Sequence, residues 1–182
     1  MLMQRMYMVR HGQSKDNAHK IVSGTHETPL SELGKEQARA AGRHARGLAI
    51  DLIVASPLER AQHTAKIIAE ETGYPTADIV TIPEFSERDL GKLEGTSYAQ
   101  NPRLNGNFPA VEHIVGVEKL PHFNHRVEHG LRQLLQDKQH KTILIVCHVG
   151  VGRMLRVVTA GKKPLELYDQ PKLENGVIYP LL

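Results

Sequence analysis

Short aliphatic, β-branched runs alternate with segments of helical period along the chain, and this alternation restricts the fold more than any other feature. Gln4 to Val9, Asp51 to Ala55, Ile79 to Ile82, Lys141 to Cys147 and Gly176 to Tyr179 read as strands. A helix is expected from Ser31, with Ala38, Ala41, Ala45 and Leu48 on one face. A second should run from Ser56 to Thr72, with Ser56 as N-cap, Pro57 at the first helical position and Glu59 completing a capping box, until Gly73 and Pro75 stop it. Phe123, Val127, Leu131, Leu134 and Leu135 mark a third helix, and Val151, Met154, Leu155 and Val158 a fourth. Strands separated by helices imply an α/β fold, a three-layer α/β/α sandwich with a mainly parallel sheet that binds ligands beyond the carboxyl ends of its strands.

One domain spanning residues 1–182 accommodates this pattern, with the poorly periodic stretch 96–121 as a lid or insertion. A hydrophobic fraction of 40% is too apolar for a disordered chain. The single cysteine, Cys147, excludes an intrachain disulfide, and no leader-like segment opens the sequence, so a cytoplasmic location is expected. No apolar run approaches the ~20 residues of a membrane span. The net charge of +3 is spread along the chain and aromatics reach only 4%, which disfavours nucleic acid and suits a small anionic substrate. Oligomeric state is not legible.

The chemistry concentrates after the first strand. In Val9-Arg10-His11-Gly12 a guanidinium stands beside an imidazole at a glycine turn, a place where backbone N–H groups are expected to be free for an anion. Histidine is a competent nucleophile toward phosphorus, and a neighbouring cation keeps it unprotonated at neutral pH. Other motifs end at the same sheet edge: Ser56-Pro57-Leu58-Glu59-Arg60-Ala61 after the second strand, Ser86-Glu87-Arg88-Asp89-Leu90-Gly91 after the third, and Cys147-His148 after the fourth.

In this order the motifs resemble the histidine phosphatase superfamily, the phosphoglycerate-mutase-like branch with an Arg-His-Gly motif, over nearly the whole chain. Asn17, Ser23-Gly24 and Leu30-Ser31-Glu32-Leu33-Gly34 agree with it. The resemblance implies that His11 attacks phosphorus and becomes phosphohistidine. Arg10, Arg60 and His148 would bind the phosphoryl oxygens, and Glu87 would carry the proton. Asn17, Ser23, Gly24 and Val149 are expected to line the phosphate site. Paired guanidinium groups can stabilise the transferring phosphoryl group without a metal or other cofactor. The expected activity is therefore metal-independent hydrolysis of a small phosphorylated metabolite.

The alternatives are a cofactor-dependent phosphoglycerate mutase and a catalytically silent phospho-ligand scaffold. Between 96 and 121 the sequence offers only Arg103, His113 and Lys119 as cations, thin for a bisphosphate clamp, although Glu87-Arg88 and Gly91 resemble the mutase version. Substrate choice is expected to rest on lid-region residues such as Tyr98, Arg103, Asn105, Phe108 and His122. Val149 stands where the family has glycine directly after the late histidine, so the loop there should differ. His122, His125 and His129, with Arg126, share a helical face opposite the apolar stripe and read as a solvated face rather than a metal site. Cys147 should point away from His148 into the core, because adjacent strand residues face opposite sides.

Overall fold

The computed structural model describes residues 4–100, 111, 113–136 and 139–182. Its sheet contains β1 (Arg5–Arg10), β2 (Leu52–Ala55), β3 (Val80–Thr81), β4 (Thr142–Cys147) and β5 (Ile178–Pro180) in the order β3-β2-β4-β1-β5. All neighbours pair in parallel except β5, which runs antiparallel to β1. The helices are α1 (Lys15–Ala18), α2 (Glu32–Ala45), α3 (Glu59–Thr72), α4 (Leu120–Gln136) and α5 (Val149–Thr159). Among the described residues no helix is long and apolar enough to cross a membrane.

The strands sort their side chains with period two. Met6, Met8, Leu52, Val54, Ile143, Ile145 and Cys147 face α4 and α5, where Phe123, Val127, Leu131, Met154 and Leu155 cover them. Val9, Ile53, Ala55, Leu144 and Val146 face α2 and α3, whose contacts are mostly alanines: Ala41, Ala45, Ala61, Ala65 and Ala69. Small residues let α2 and α3 approach closely, so that a Cβ on Gly42 would lie 2.5 Å from the Cβ of Glu71. Cys147 is in the core, as its strand parity requires, and burial pushes its thiol far above the ordinary range.

Several expectations need correction. Helix α3 begins at Glu59 with Leu58 as its cap, so Ser56 is not the N-cap and Pro57 precedes the helix. The Glu59 N–H is satisfied across the fold by Glu27 Oε2 at 2.9 Å, which removes the need for a local capping box. Strand β3 is only a two-residue edge strand, with Val80 45% exposed. Helix α4 starts inside the expected lid, at Leu120, whose side chain reaches the core.

The topology brings the chemistry together. Because β4 inserts between β1 and β2, the carboxyl ends of all these strands are neighbours: Arg10 pairs with Cys147, the His11 N–H donates to the Cys147 carbonyl at 3.0 Å, and the Ser56 N–H donates to that of Val146.

Candidate active site

At that edge lies a pocket of about 630 Å³ lined by Arg10, His11, Asn17, Ser23, Gly24, Arg60, Glu87 and Val149, among others. His148 packs against His11, its ring centroid 5.1 Å from that of His11, with only 1% of the residue exposed.

The glycine turn is held by close approach. A Cβ on Gly12 would lie 2.1 Å from the carbonyl oxygen of Gly34, and one on Gly34 would lie 2.0 Å from that of Gln13, so neither position tolerates a side chain. Ser31, the N-cap of α2, accepts from the Gly34 N–H and donates to Gln13 Oε1, fixing the start of α2 against the turn. The expected free backbone N–H groups are not there. His11 N–H goes to Cys147, Gly12 N–H to Thr64 Oγ1 and Gln13 N–H to Gln37 Oε1. The turn spends its donors on the scaffold, and side chains line the pocket beside it.

His11 has a defined orientation. Its Nδ1 lies 2.7 Å from the Gly12 carbonyl, an acceptor only, so Nδ1 carries the proton and Nε2 keeps its lone pair. Burial, then Arg60 and Arg10, hold the imidazole well below its ordinary pKa. Burial likewise depresses His148, with Arg60 and His11 adding to it. His148 Nε2 meets Ser56 Oγ at 2.7 Å, and that hydroxyl also accepts from the Leu58 N–H, so the serine taken for a helix cap orients a histidine instead.

Arg60 is 1% exposed in the first turn of α3, and its guanidinium donates to the carbonyls of Gly24 and His26 at 2.6 and 2.8 Å. The Ser23-Gly24 segment is thus a support for Arg60. Arg10 donates to the Leu173 carbonyl and to Asn17 Oδ1. Asn17 also completes a capping box with Ser14 on α1, so it both caps and braces. The Nε atoms of Arg10 and Arg60, Nδ1 of His148 and Oγ of Ser23 are buried without partners among the described residues.

Glu87 is held by backbone. Its Oε1 accepts from the Arg88 N–H at 2.8 Å and its Oε2 from the Gly150 N–H at 2.9 Å. A Cβ on Gly150 would sit 2.3 Å from Glu87 Oε1, so a side chain one position after Val149 would push the carboxylate off the N–H that holds it. Val149 itself opens α5 and lines the pocket.

Sequence reading missed several supports. Arg126 does not belong to the solvated face. It donates to the carbonyls of Glu84, Ser86 and Glu87 at 2.6 to 3.0 Å, pairs with both oxygens of Glu118 and lies over the Phe123 ring. His122 and His125 are exposed on that face, and His129 meets Glu84 at 3.0 Å. Asn175 donates to the His11 carbonyl at 2.8 Å, a role signalled only by an Asn-Gly pair that reads as a turn. Of the expected lid residues Tyr98 lines the pocket, His122 does not, and Arg103, Asn105 and Phe108 lie outside the described residues. Among the described residues no group of acidic, histidine or cysteine side chains is arranged to hold a metal ion.

A strand-end histidine between buried arginines, on a mainly parallel three-layer sandwich, has the cationic surroundings that phosphoryl transfer needs. The profile of the histidine phosphatase superfamily (branch 1) matches residues 6–181, and the chain belongs to that family. It is 32% identical to an uncharacterized phosphatase, PhoE, of Bacillus subtilis, over 90% of this chain and 82% of that one. It is 31% identical to the adenosylcobalamin/alpha-ribazole phosphatase of Escherichia coli, over 83% and 76%, and 33% identical to a probable phosphoglycerate mutase, GpmB, of Salmonella paratyphi A, over 86% and 75%. The crystal structure of a putative alpha-ribazole-5'-P phosphatase from E. coli superposes with a TM-score of 0.84 at 26% identity, covering 98% of this chain and 89% of that one.

Proposed function

We propose that this chain is a metal-independent phosphomonoesterase acting on a small phosphorylated metabolite through a phosphohistidine at His11 Nε2. The observation that carries the reading is the His11 Nδ1 to Gly12 carbonyl bond at 2.7 Å, which leaves Nε2 as the free nucleophilic atom beside two buried guanidinium groups.

In the first half-reaction Nε2 attacks phosphorus, the P–N bond forms and the P–O ester bond breaks. Arg10 and Arg60 take the charge on the equatorial oxygens. With Ser56 Oγ–H donating to its Nε2, His148 presents Nδ1–H to the same oxygens. Protonated Glu87 gives its proton to the leaving alkoxide. In the second, Glu87 takes a proton from water as the oxygen attacks phosphorus, the P–N bond breaks, and phosphate leaves with His11 neutral again. The cradle supplies its own positive charge, which is why no metal is invoked.

Phosphatase names among the relatives support hydrolysis. A mutase reading draws on the probable phosphoglycerate mutase relative and on the Glu87-Arg88 pair. Phosphate release from a panel of phosphomonoesters in EDTA separates the two, with 3-phosphoglycerate and a trace of 2,3-bisphosphoglycerate included. Release by the wild type and none by His11→Ala is expected; 2-phosphoglycerate in place of free phosphate would mean a mutase.

A further inference from the structure

The pocket carries more positive charge than one phosphoryl group requires. Its described lining includes the cations Arg10, Lys20, Arg60, Arg88, Arg153 and Lys172 against the carboxylates Glu87 and Glu174. Arg10 and Arg60 form the phosphoryl cradle, and Arg88 is held by the Glu118 carbonyl and the Tyr168 hydroxyl. Arg153 has no such engagement. It is half-buried, its Nε is sealed from solvent without a partner, and no carboxylate lies within ion-pair distance of it among the described residues. A buried guanidinium N–H left unmade is costly, and an anion paired with the guanidinium offsets that cost through charge-assisted hydrogen bonds.

Its position says which part of a ligand that is. Arg153 stands one helical turn beyond Val149 and Gly150 on α5, on the same pocket-facing side, and the Gly150 N–H holds Glu87 Oε2 at 2.9 Å. In the mechanism proposed above Glu87 protonates the leaving ester oxygen, so Arg153, one turn further along α5 from the residue that holds Glu87, is on the side of the alcohol portion. Lys20 and Lys172 join it at the mouth. Lys20 follows the C-cap of α1 at a left-handed φ of 57°, the conformation in which helices commonly end, and its N–H donates to the Asn17 carbonyl at 3.2 Å. Lys172 precedes Leu173, whose carbonyl receives Arg10.

We propose that the substrate's leaving group carries a second anion, carboxylate or phosphate, and that Arg153 binds it with Lys20 and Lys172. This rests on the hydrolase reading for the identity of the leaving group, so the test reads affinity separately from turnover. Ester affinities are measured by calorimetry on the His11→Ala protein for matched pairs: 3-phosphoglycerate against glycerol 3-phosphate, 6-phosphogluconate against glucitol 6-phosphate, and ribulose 1,5-bisphosphate against ribulose 5-phosphate. The charged member of at least one pair should bind about tenfold or more tightly, as a charge-assisted hydrogen bond implies. The preferred pair tells carboxylate from phosphate and gives the reach.

Adding Arg153→Gln should close that gap, while Arg153→Lys should keep part of it. Equal affinities in every pair, or a gap that survives Arg153→Gln, would overturn the proposal. Wild-type enzyme that binds the charged ester but releases no phosphate would keep the anion subsite and overturn the hydrolase reading alone.

Discussion

The floor of the pocket and its mouth are built on opposite terms. On the floor, His11, Arg60 and His148 are nearly sealed, backbone N–H groups are consumed by Cys147, Thr64 and Gln37, and each of the three side chains is braced by a named partner. At the mouth, Lys20, Lys172 and Glu174 are exposed, and Arg153 has no carboxylate within ion-pair distance among the described residues. A buried, fixed floor suits a step in which charge develops at one place whatever the alcohol is. A loosely partnered mouth is where one member of the family can come to differ from another.

Breaking the floor should give the largest effects. His11→Ala removes the covalent path and should lower kcat by about 10⁴-fold or more, read as phosphate release. Arg60→Ala removes one cradle guanidinium and the brace on Gly24; kcat/KM should fall about 10²- to 10³-fold, with weaker competition by inorganic phosphate. Glu87→Gln lies between floor and mouth. It should cost alkyl phosphates about 10²- to 10⁴-fold and p-nitrophenyl phosphate far less, since a good leaving group needs no proton. Equal losses on both would remove Glu87 as the acid.

Arg126→Ala touches neither substrate nor phosphoryl group. Through the carbonyls of Ser86 and Glu87 it should reproduce the leaving-group dependence of Glu87→Gln at roughly a tenth of its size, as misplacement of a catalytic group does. A uniform fall across leaving groups would make Arg126 purely structural.

The pH dependence of stability probes the same floor. The folded pKa values of His11 and His148 lie below the unfolded value, so below pH ~6.5 the unfolded chain binds protons that the native chain does not. Stability should be full above that pH and fall as pH drops through it, by up to about 1.4 kcal/mol per histidine per unit. Urea titrations at pH 7.5 and 5.5 measure the fall, and His148→Asn should reduce it.

Legibility in the sequence follows the same division. Strands β1, β2 and β4 were readable because burial on both faces leaves apolar runs, and the motifs at their ends were readable because each follows such a run. The start of α3 was not, since Ser56 reads locally as a cap while its hydroxyl is taken by His148, far away in sequence. The role of Arg126 was hidden because helical period reports which face of α4 meets the sheet, not which loop packs on its other side. Free N–H groups at Gly12 were expected from the turn alone, and Thr64 and Gln37, on later helices, claim them. Asn175 acts through a backbone carbonyl, which leaves no pattern in the side chains around it.

Phosphorylation of His11 Nε2 is open to rapid mixing with a radiolabelled phosphomonoester followed by a denaturing quench. The label should survive alkali, be lost in acid, map to His11 and be absent from His11→Ala. A label on another residue, or turnover in which no such label forms at any mixing time, would contradict it.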